Sequence, residues 1–521
     1  MFLFFISELK DAVRVRHSCP LFVKCLQKMC QMQRGAGSSS DPCRRPLLQV
    51  RPTWEVGAPP CSFFNESRTG SGSCCLSVRS CFREYFTHKF RAMLGKTRLI
   101  FPGEKVLLAV SGGPSSSAML SQVQQGLGQS AQKKLRFLPG LVHIDEGGAL
   151  GLSLGERQRL VSELKAIFQT SGFPFHVIPL EQVLDLPTSA VNTTPPSSDR
   201  APDCYKAAGD GGELQQGGAL AEPSVHEAQT RSLQQLLGSA TTLTAKEELL
   251  RTLRQHLLVH EARTRGYSKL LLGESCTRLA VRLLTCVSLG RGAHLAQDTG
   301  FSDCRFGDVT FVRPMREFSA KEIAVYNHMF RVPTVVIPSL ETKTLEKASI
   351  QRLSESFVSR LQQDFPSTVS TIYRTSEKLQ TAGGGCCEED GRCLLCLCSL
   401  DTAAGKASAL QARLISEQLC CQKPAGTVKV EPSPPAGPCC SSADGECGSA
   451  AGGAVCCSSE APEKKDLQKL LCYSCQLTLR DMSSVAHLPQ YILTEAQRRK
   501  RRSLMKDEIS EFLLEEEEGS S

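Results

Sequence analysis

Residues 105–120 read KVLLAVSGGPSSSAML. The run 105–110 is apolar and short enough for a buried strand, and it stops at a loop of small residues, SGGPSSS. The residues that follow, AMLSQVQQGL, resume with helical spacing. Strand, small-residue loop and helix together open an α/β unit, and the same alternation continues outward from it. RFLPGLVHID (136–145) reads as a second strand, ERQRLVSELKAIFQTSG (156–172) as a helix ended by Gly, and FHVIPL as a third strand. A long helix is expected over 244–266, where Thr244 and Glu247 have capping-box spacing. SKLLLG gives a fourth strand, CTRLAVRLLTCVSLGRG a helix and DVTFVRP a fifth strand, with further helices in SAKEIAVYNHMF and KASIQRLSESFVSRLQQDF. Strands separated by helices predict a doubly wound parallel sheet of the α/β class over about residues 81–380.

The flanks have a different composition. Residues 1–80 lack periodicity and are expected to be poorly ordered, and the apolar start MFLFFI is too short for a secretory leader before it meets Glu8, Lys10 and Asp11. Order is expected from Cys81, where Phe82, Tyr85, Phe86 and Phe90 fall on one helical face. A Pro-, Ser-, Gly- and Gln-rich stretch at 186–240 reads as a flexible insertion. Residues 381–480 are expected to form a cysteine-rich region with a long low-complexity linker, and 481–521 a charged tail carrying Arg498 to Arg502 and Glu515 to Glu518. With 521 residues, about three units fit the length. No apolar run approaches the roughly 20 residues of a membrane-spanning helix, which argues against a membrane partner. The net charge of +8 permits nucleic-acid binding without requiring it.

Cysteine is concentrated at the two ends: eight of 26 lie between Cys19 and Cys81, and fourteen between Cys386 and Cys475. In a long chain with no secretory leader this pattern points to a reduced, cytoplasmic setting and to metal. Cys393 and Cys396 form one C-x-x-C knuckle, and Cys472 and Cys475 a second. Four thiolates suit tetrahedral zinc, so these four are the expected ligands of a zinc-ribbon-like site. Cys386, Cys387 and Cys398 are nearby spares, while the doublets Cys420–Cys421, Cys439–Cys440 and Cys456–Cys457 lack ligand spacing, and no N-terminal metal site is expected, since Val78 leaves Cys81 without a C-x-x-C partner.

In a doubly wound sheet, ligands bind beyond the carboxyl ends of the strands. The loop after the first strand places Ser111, Gly112, Gly113, Ser115, Ser116 and Ser117 there. Small residues let the backbone approach a phosphate, and the following helix N-terminus offers unpaired N–H groups. The same residues also make an ordinary tight turn with Ser as N-cap.

The loop resembles the PP-loop of the ATP pyrophosphatase superfamily, S-G-G-x-D-S, at Ser111, Gly112, Gly113 and Ser116. That resemblance implies an adenine nucleotide alpha hydrolase-like fold and a site for ATP with magnesium. Ser115 occupies the acidic position, and a hydroxyl brings no charge to Mg²⁺. After the fourth strand, GESCTR puts Thr277 and Arg278 where active tRNA-thiolating relatives carry an acidic pair. The cofactor site is therefore expected to be weakened. Longer phrases resemble the cytoplasmic tRNA 2-thiolation protein 2 family: HKFRAMLGKTRLIFPGEKVLLAVSGGPSSSAML, GYSKLLLGESCTRLAVRLL, RGAHLAQDTGFSD, VRPMREFSAKEIAVYNHMF, FPSTVSTIYRTSEKL and YILTEAQ.

This second resemblance implies a non-catalytic or degenerate subunit that forms a heterodimer with a catalytic PP-loop tRNA-thiolation subunit. Its implied substrate is the wobble uridine of tRNA for Lys, Glu and Gln, with sulfur delivered by a thiocarboxylated ubiquitin-related sulfur carrier. Two alternatives stand beside it: a self-sufficient adenylating enzyme, and a zinc-ribbon RNA-binding scaffold. Cys276, near a helix N-terminus, is the one candidate for a reactive thiol, and Cys286 reads as core. Arg83, His88, Lys89, Arg91, Lys96 and Arg98 are candidates for tRNA contact, while the aromatics among them are expected to pack the helix.

Overall fold

The computed structural model describes residues 71–191 except 130, 132 and 133, then 227–340, 344–377 except 341–343 and 346, 391–400 and 464–510. The expectations for residues 1–70, the cysteine doublets of the linker and the acidic end therefore lie outside the described residues.

Six strands form one sheet: β1 (Lys105–Ala109), β2 (Leu138–Asp145), β3 (Phe175–Pro179), β4 (Lys269–Leu272), β5 (Ser302–Phe306) and β6 (Val309–Val312). Their spatial order is β3-β2-β1-β4-β6-β5. Every pairing is parallel except β5 with β6. The five strands expected from the sequence are all present. The sixth, β5, is a short antiparallel edge strand turned back through Gly307, whose φ of 76° suits the tight hairpin. Its polar residues Ser302, Asp303 and Arg305 concealed it, because Asp303 and Arg305 are buried as an ion pair.

Alternation along β1 divides the core. Val106 and Leu108 face the helix Ser71–Thr97, where Phe82, Phe86 and Phe90 are buried, and Phe86 stacks on Tyr326 at 4.1 Å. Leu107 faces the helix Leu243–Thr264 and, beyond it, the cysteine knuckles. Both faces are covered, which is why the parallel strands are continuously apolar.

Three boundaries differ from expectation. The N-terminal helix begins at Ser71, ten residues before Cys81. The stretch expected as a flexible insertion at 186–240 ends in the helix Glu227–Ser239, which buries Leu233, Leu236 and Leu237. The long helix starts at Leu243 with Thr242 as N-cap. Thr244 and Glu247 instead accept hydrogen bonds from the Ile350 N–H and the Ser349 hydroxyl, anchoring the start of the helix Ile350–Asp364. No helix among the described residues is long and apolar enough to cross a membrane.

Candidate functional site

The strand order reverses between β1 and β4, so the loops after these two strands meet at one crevice. Gly113 is the N-cap of the helix Pro114–Leu127, with Pro114 in its first turn. Gly112 sits at φ 81°, a conformation glycine adopts without strain. The serine side chains turn inward. Ser116 Oγ donates to the Gly113 carbonyl at 3.0 Å, and Ser117 Oγ to the Gly112 carbonyl at 3.1 Å. The Ser111 and Ser116 hydroxyls lie 3.2 Å apart. From outside, the Val335 N–H donates to the Gly112 carbonyl and Asn327 Nδ2 to the Pro114 carbonyl, both at 2.9 Å. Gly273, on the facing loop, is needed for the close approach: a Cβ there would lie 2.7 Å from Ser116 Cα.

All six expected loop residues are thus brought together at the strand ends. Ser115 is half-buried and carries no charge, while Arg278 of the facing loop is exposed. The crevice does hold carboxylates that the sequence reading passed over, and each already has a cation. Glu274 accepts from Arg313 Nε at 2.6 Å, and Glu146 is paired with Arg254. Their position directly after β4 and β2 was the available signal. Cys276 faces away from reactive-thiol chemistry. Burial, reinforced by Glu322, pushes its thiol up to about 11, and its N–H donates to the Phe318 carbonyl. Cys286 is core, as expected; its thiol reaches Asp298 Oδ2 at 3.6 Å, and burial raises it to about 11.

The second centre is the cysteine group. Cys393, Cys396, Cys472 and Cys475 are all buried and present four sulfurs within 4.8 Å of one another. The two knuckles are 76 residues apart in the chain, yet Leu394 N donates to the Leu470 carbonyl at 2.9 Å and seats one on the other. Around Cys393 the chain closes a tight turn, with its N–H on the Cys398 carbonyl and Leu397 at φ 57°. Cys472 caps the helix Tyr473–Arg480, which places Cys475 in its first turn. The thiol of Cys396 is held well below the ordinary range by hydrogen bonds from Cys393, Cys398, Cys472 and Cys475. Sulfurs around tetrahedral zinc at about 2.3 Å stand roughly 3.8 Å apart, and Cys396 and Cys472 are already 3.5 Å apart. The donor set fits one ion, since a multi-iron cluster spreads its ligands farther.

Cys398, a spare in the sequence reading, is the site's link to the sheet. Its sulfur accepts from Arg305 Nη1 at 2.9 Å and Arg291 Nη2 at 3.6 Å. These two guanidiniums clasp Asp298 at 2.6 and 2.9 Å and, despite burial, hold its carboxyl well below the usual range. Arg392 donates to the Arg305 carbonyl, and Arg499 to the Arg392 carbonyl. The basic run is therefore no solvated tail at its start. In the helix Gln490–Ser510, Tyr491, Ile492, Leu493 and Ala496 enter the core, Arg499 is buried on Glu495, and Lys500 pairs with Asp466.

The expected tRNA cations are divided. Lys89 is spent on Glu322 at 2.8 Å, and Arg83 lies over the Phe330 ring at 4.5 Å. His88, Lys96 and Arg98 remain exposed, and the aromatics pack inward as expected.

Residues 349–477 match the family model described as cytoplasmic tRNA 2-thiolation protein 2. A Danio rerio protein of that name is 55% identical over 462 residues, covering 84% of this chain and 91% of the relative. The Homo sapiens protein is 48% identical over 485 residues, covering 87% and 92%. Among solved structures, the U34-tRNA thiolase of Methanococcus maripaludis with its 4Fe-4S cluster aligns at a TM-score of 0.41 and 14% identity, covering 65% of this chain and 89% of that one.

Proposed function

The chain belongs to the cytoplasmic tRNA 2-thiolation protein 2 family, and from that premise we propose that it is the non-catalytic member of a cytoplasmic heterodimer. The partner is a catalytic PP-loop subunit. The reaction places sulfur at C2 of the wobble uridine in tRNA for Lys, Glu and Gln, with a thiocarboxylated ubiquitin-related protein as the sulfur source. The observation that carries the division of labour is the crevice between β1 and β4. Its backbone keeps the shape of a phosphate cradle, but Ser115 and Thr277 are uncharged, Arg278 is a cation, and Glu146 and Glu274 are neutralised by Arg254 and Arg313. Adenylation of a uridine oxygen by ATP needs a divalent cation beside the phosphates, and among the described residues the two carboxylates placed directly after β2 and β4 are already paired.

Cys393, Cys396, Cys472 and Cys475 would hold zinc. A tetrahedral thiolate site closed on all sides ties distant chain segments together and leaves no open position for chemistry. Its role in this reading is to fix the C-terminal segments on the sheet.

The reading is tested by mass spectrometry of wobble nucleosides from cells lacking this protein. Loss of 2-thiouridine, restored by re-expression, is expected; normal thiolation overturns the assignment. Pyrophosphate release by the isolated chain with ATP, Mg²⁺ and tRNA is expected to be absent. Release at an enzymatic rate would favour a self-sufficient enzyme.

A further inference from the structure

The amino-terminal rim of the sheet lies opposite the crevice, about 20 Å away along β1 at roughly 3.3 Å per residue. A short turn there, Phe101-Pro102-Gly103-Glu104, leads into β1. It is seated by Gly103 N on the Arg136 carbonyl at 2.6 Å and by Leu138 N on the Glu104 carbonyl at 2.9 Å. Lys105 and Leu138 are register partners at the start of β1 and β2. The turn presents two large apolar side chains to solvent: Phe101 is 64% exposed and Leu138 57%. Four exposed cations surround them: Arg98, Lys105, Lys134 and Arg136. None of the four forms an ion pair among the described residues. The nearest acid, Glu104, is turned away from solvent. It accepts from Ser268 Oγ at 2.6 Å and from the Phe101 N–H at 2.8 Å, and it stands 3.6 Å from Lys269.

We infer that this rim is an RNA-contact surface, which takes unpaired nucleotides by stacking a base on Phe101 and neutralising the flanking phosphates with Arg98, Lys105, Lys134 and Arg136. A single exposed apolar side chain is ordinary; what sets this rim apart is that Phe101 and Leu138 stand together among four cations that form no ion pair among the described residues. The combination suits a polyanion whose charges alternate with flat π-faces, which is a single-stranded nucleic acid. An acidic protein segment satisfies the cations but does not need a lone ring held on a Pro-Gly turn. Because the turn is fixed by backbone hydrogen bonds and by Glu104, the ring is preorganised and little is lost in ordering it. The inference rests on the tRNA-thiolation reading for the identity of the RNA, and it places a contact on the face away from the crevice.

The test uses the full-length chain and two probes: an unmodified tRNA transcript and a uridine dodecamer. The surface variants are Phe101→Ser and the triple Arg98→Gln/Lys105→Gln/Arg136→Gln. All four positions are exposed, and melting temperature checks that the variants fold. The triple variant is expected to weaken both probes by more than tenfold. It should also make the slope of log K against log salt shallower by about two, at roughly 0.7 per lost single-strand phosphate contact. Phe101→Ser is expected to weaken the dodecamer about tenfold with the salt slope unchanged, since stacking releases no counterions. Wild-type binding by both variants overturns the inference. So does polyglutamate that competes at equal charge and loses affinity in the triple variant alone, which would make the rim an acidic-protein site. Failure of the thiolation reading is distinguishable: normal 2-thiouridine in cells lacking the protein removes that reading while the purified chain's RNA binding still reports on the rim.

Discussion

The phosphate-type loop, at the carboxyl end of central β1, and the cysteine group, packed against the helix Leu243–Thr264, keep opposite things. At Ser111–Ser117 the backbone is preserved while the side chains that would do chemistry are uncharged or turned onto the loop's own carbonyls. At Cys393, Cys396, Cys472 and Cys475 every donor is present, buried and backed by Arg291, Arg305 and Asp298. A backbone cradle stabilises the fold whether or not it binds anything, because it is the turn that joins β1 to its helix. Four buried cysteines packed as neutral thiols would serve only as core, whereas as converging thiolates they need an ion to offset the cost of desolvation. The difference teaches that this chain's chemistry-bearing capital lies in structure at the cysteine end and in shape alone at the loop end.

The largest effect that could break the comparison is loss of the cysteine site. Cys393→Ser or Cys472→Ser should lower bound zinc from one ion per chain to none by inductively coupled plasma mass spectrometry. Thermal stability should fall with it by more than about 3 kcal/mol, in the range of lost metal sites and broken buried networks. Chelation of the wild type should reproduce the shift. Unchanged metal content would mean the four thiols are only core, and iron in place of zinc would change the ion but keep the ligands.

Next come two ion pairs of like chemistry at the two ends. Arg305→Met takes from buried Asp298 one of its two cations, from buried Asp303 its close partner and from Cys398 its nearer donor, and should cost about 3–5 kcal/mol in urea unfolding. Glu274→Gln at the crevice breaks a pair whose acid is 33% exposed, and should cost under about 1 kcal/mol. Equal costs would remove the distinction between a load at one end and a surface at the other.

These pairs also mark how far the sequence could be read. Period and turn chemistry gave β1 to β4 and β6, because these runs are short, largely apolar and alternate with helical segments. β5 was illegible because its stability comes from the buried charges of Asp303 and Arg305, which lean on Asp298, Arg313 and the distant Cys398 rather than on apolar alternation. The cysteine knuckles were legible because C-x-x-C spacing is local. Cys398 was not, since its role depends on two arginines about 100 residues earlier. The helix Glu227–Ser239 was masked by its Pro- and Gly-rich approach, and the ordered start of the basic run by its charge. In the latter, the apolar Tyr491, Ile492 and Leu493 just before it were the usable signal.

Acid should discriminate the two ends more gently. His143, at the carboxyl end of β2, is buried, with Nδ1 2.9 Å from the Val110 carbonyl, and burial holds its pKa below the usual value. A depressed histidine is neutral in the folded chain. Its contribution is full above the unfolded value near 6.5 and is lost as pH falls below it. His143→Gln should therefore flatten the fall of stability as pH drops below 6.5. Urea midpoints across that range measure it. An unchanged slope would move the uptake to His176, or to His256 beneath the knuckles, both already depressed to about 4 by burial.

The smallest effect is expected where a single substitution looks most restorative. Ser115→Asp puts a carboxylate back at the acidic position of the loop. One carboxylate is a weak holder of Mg²⁺, which keeps most of its waters and relies on further acids and on the phosphates themselves. Here the facing loop presents Thr277 and Arg278, and the two nearby acids remain committed to Arg254 and Arg313. The new charge also sits beside the helix N-terminus, where it is stabilised by the dipole without any metal. The variant should fold at least as well as the wild type and still release no pyrophosphate from ATP in the presence of tRNA. Turnover appearing from this one change would show that the crevice had lost a single group and kept the rest of its machinery. The contrast between the two ends would then rest on Ser115 alone.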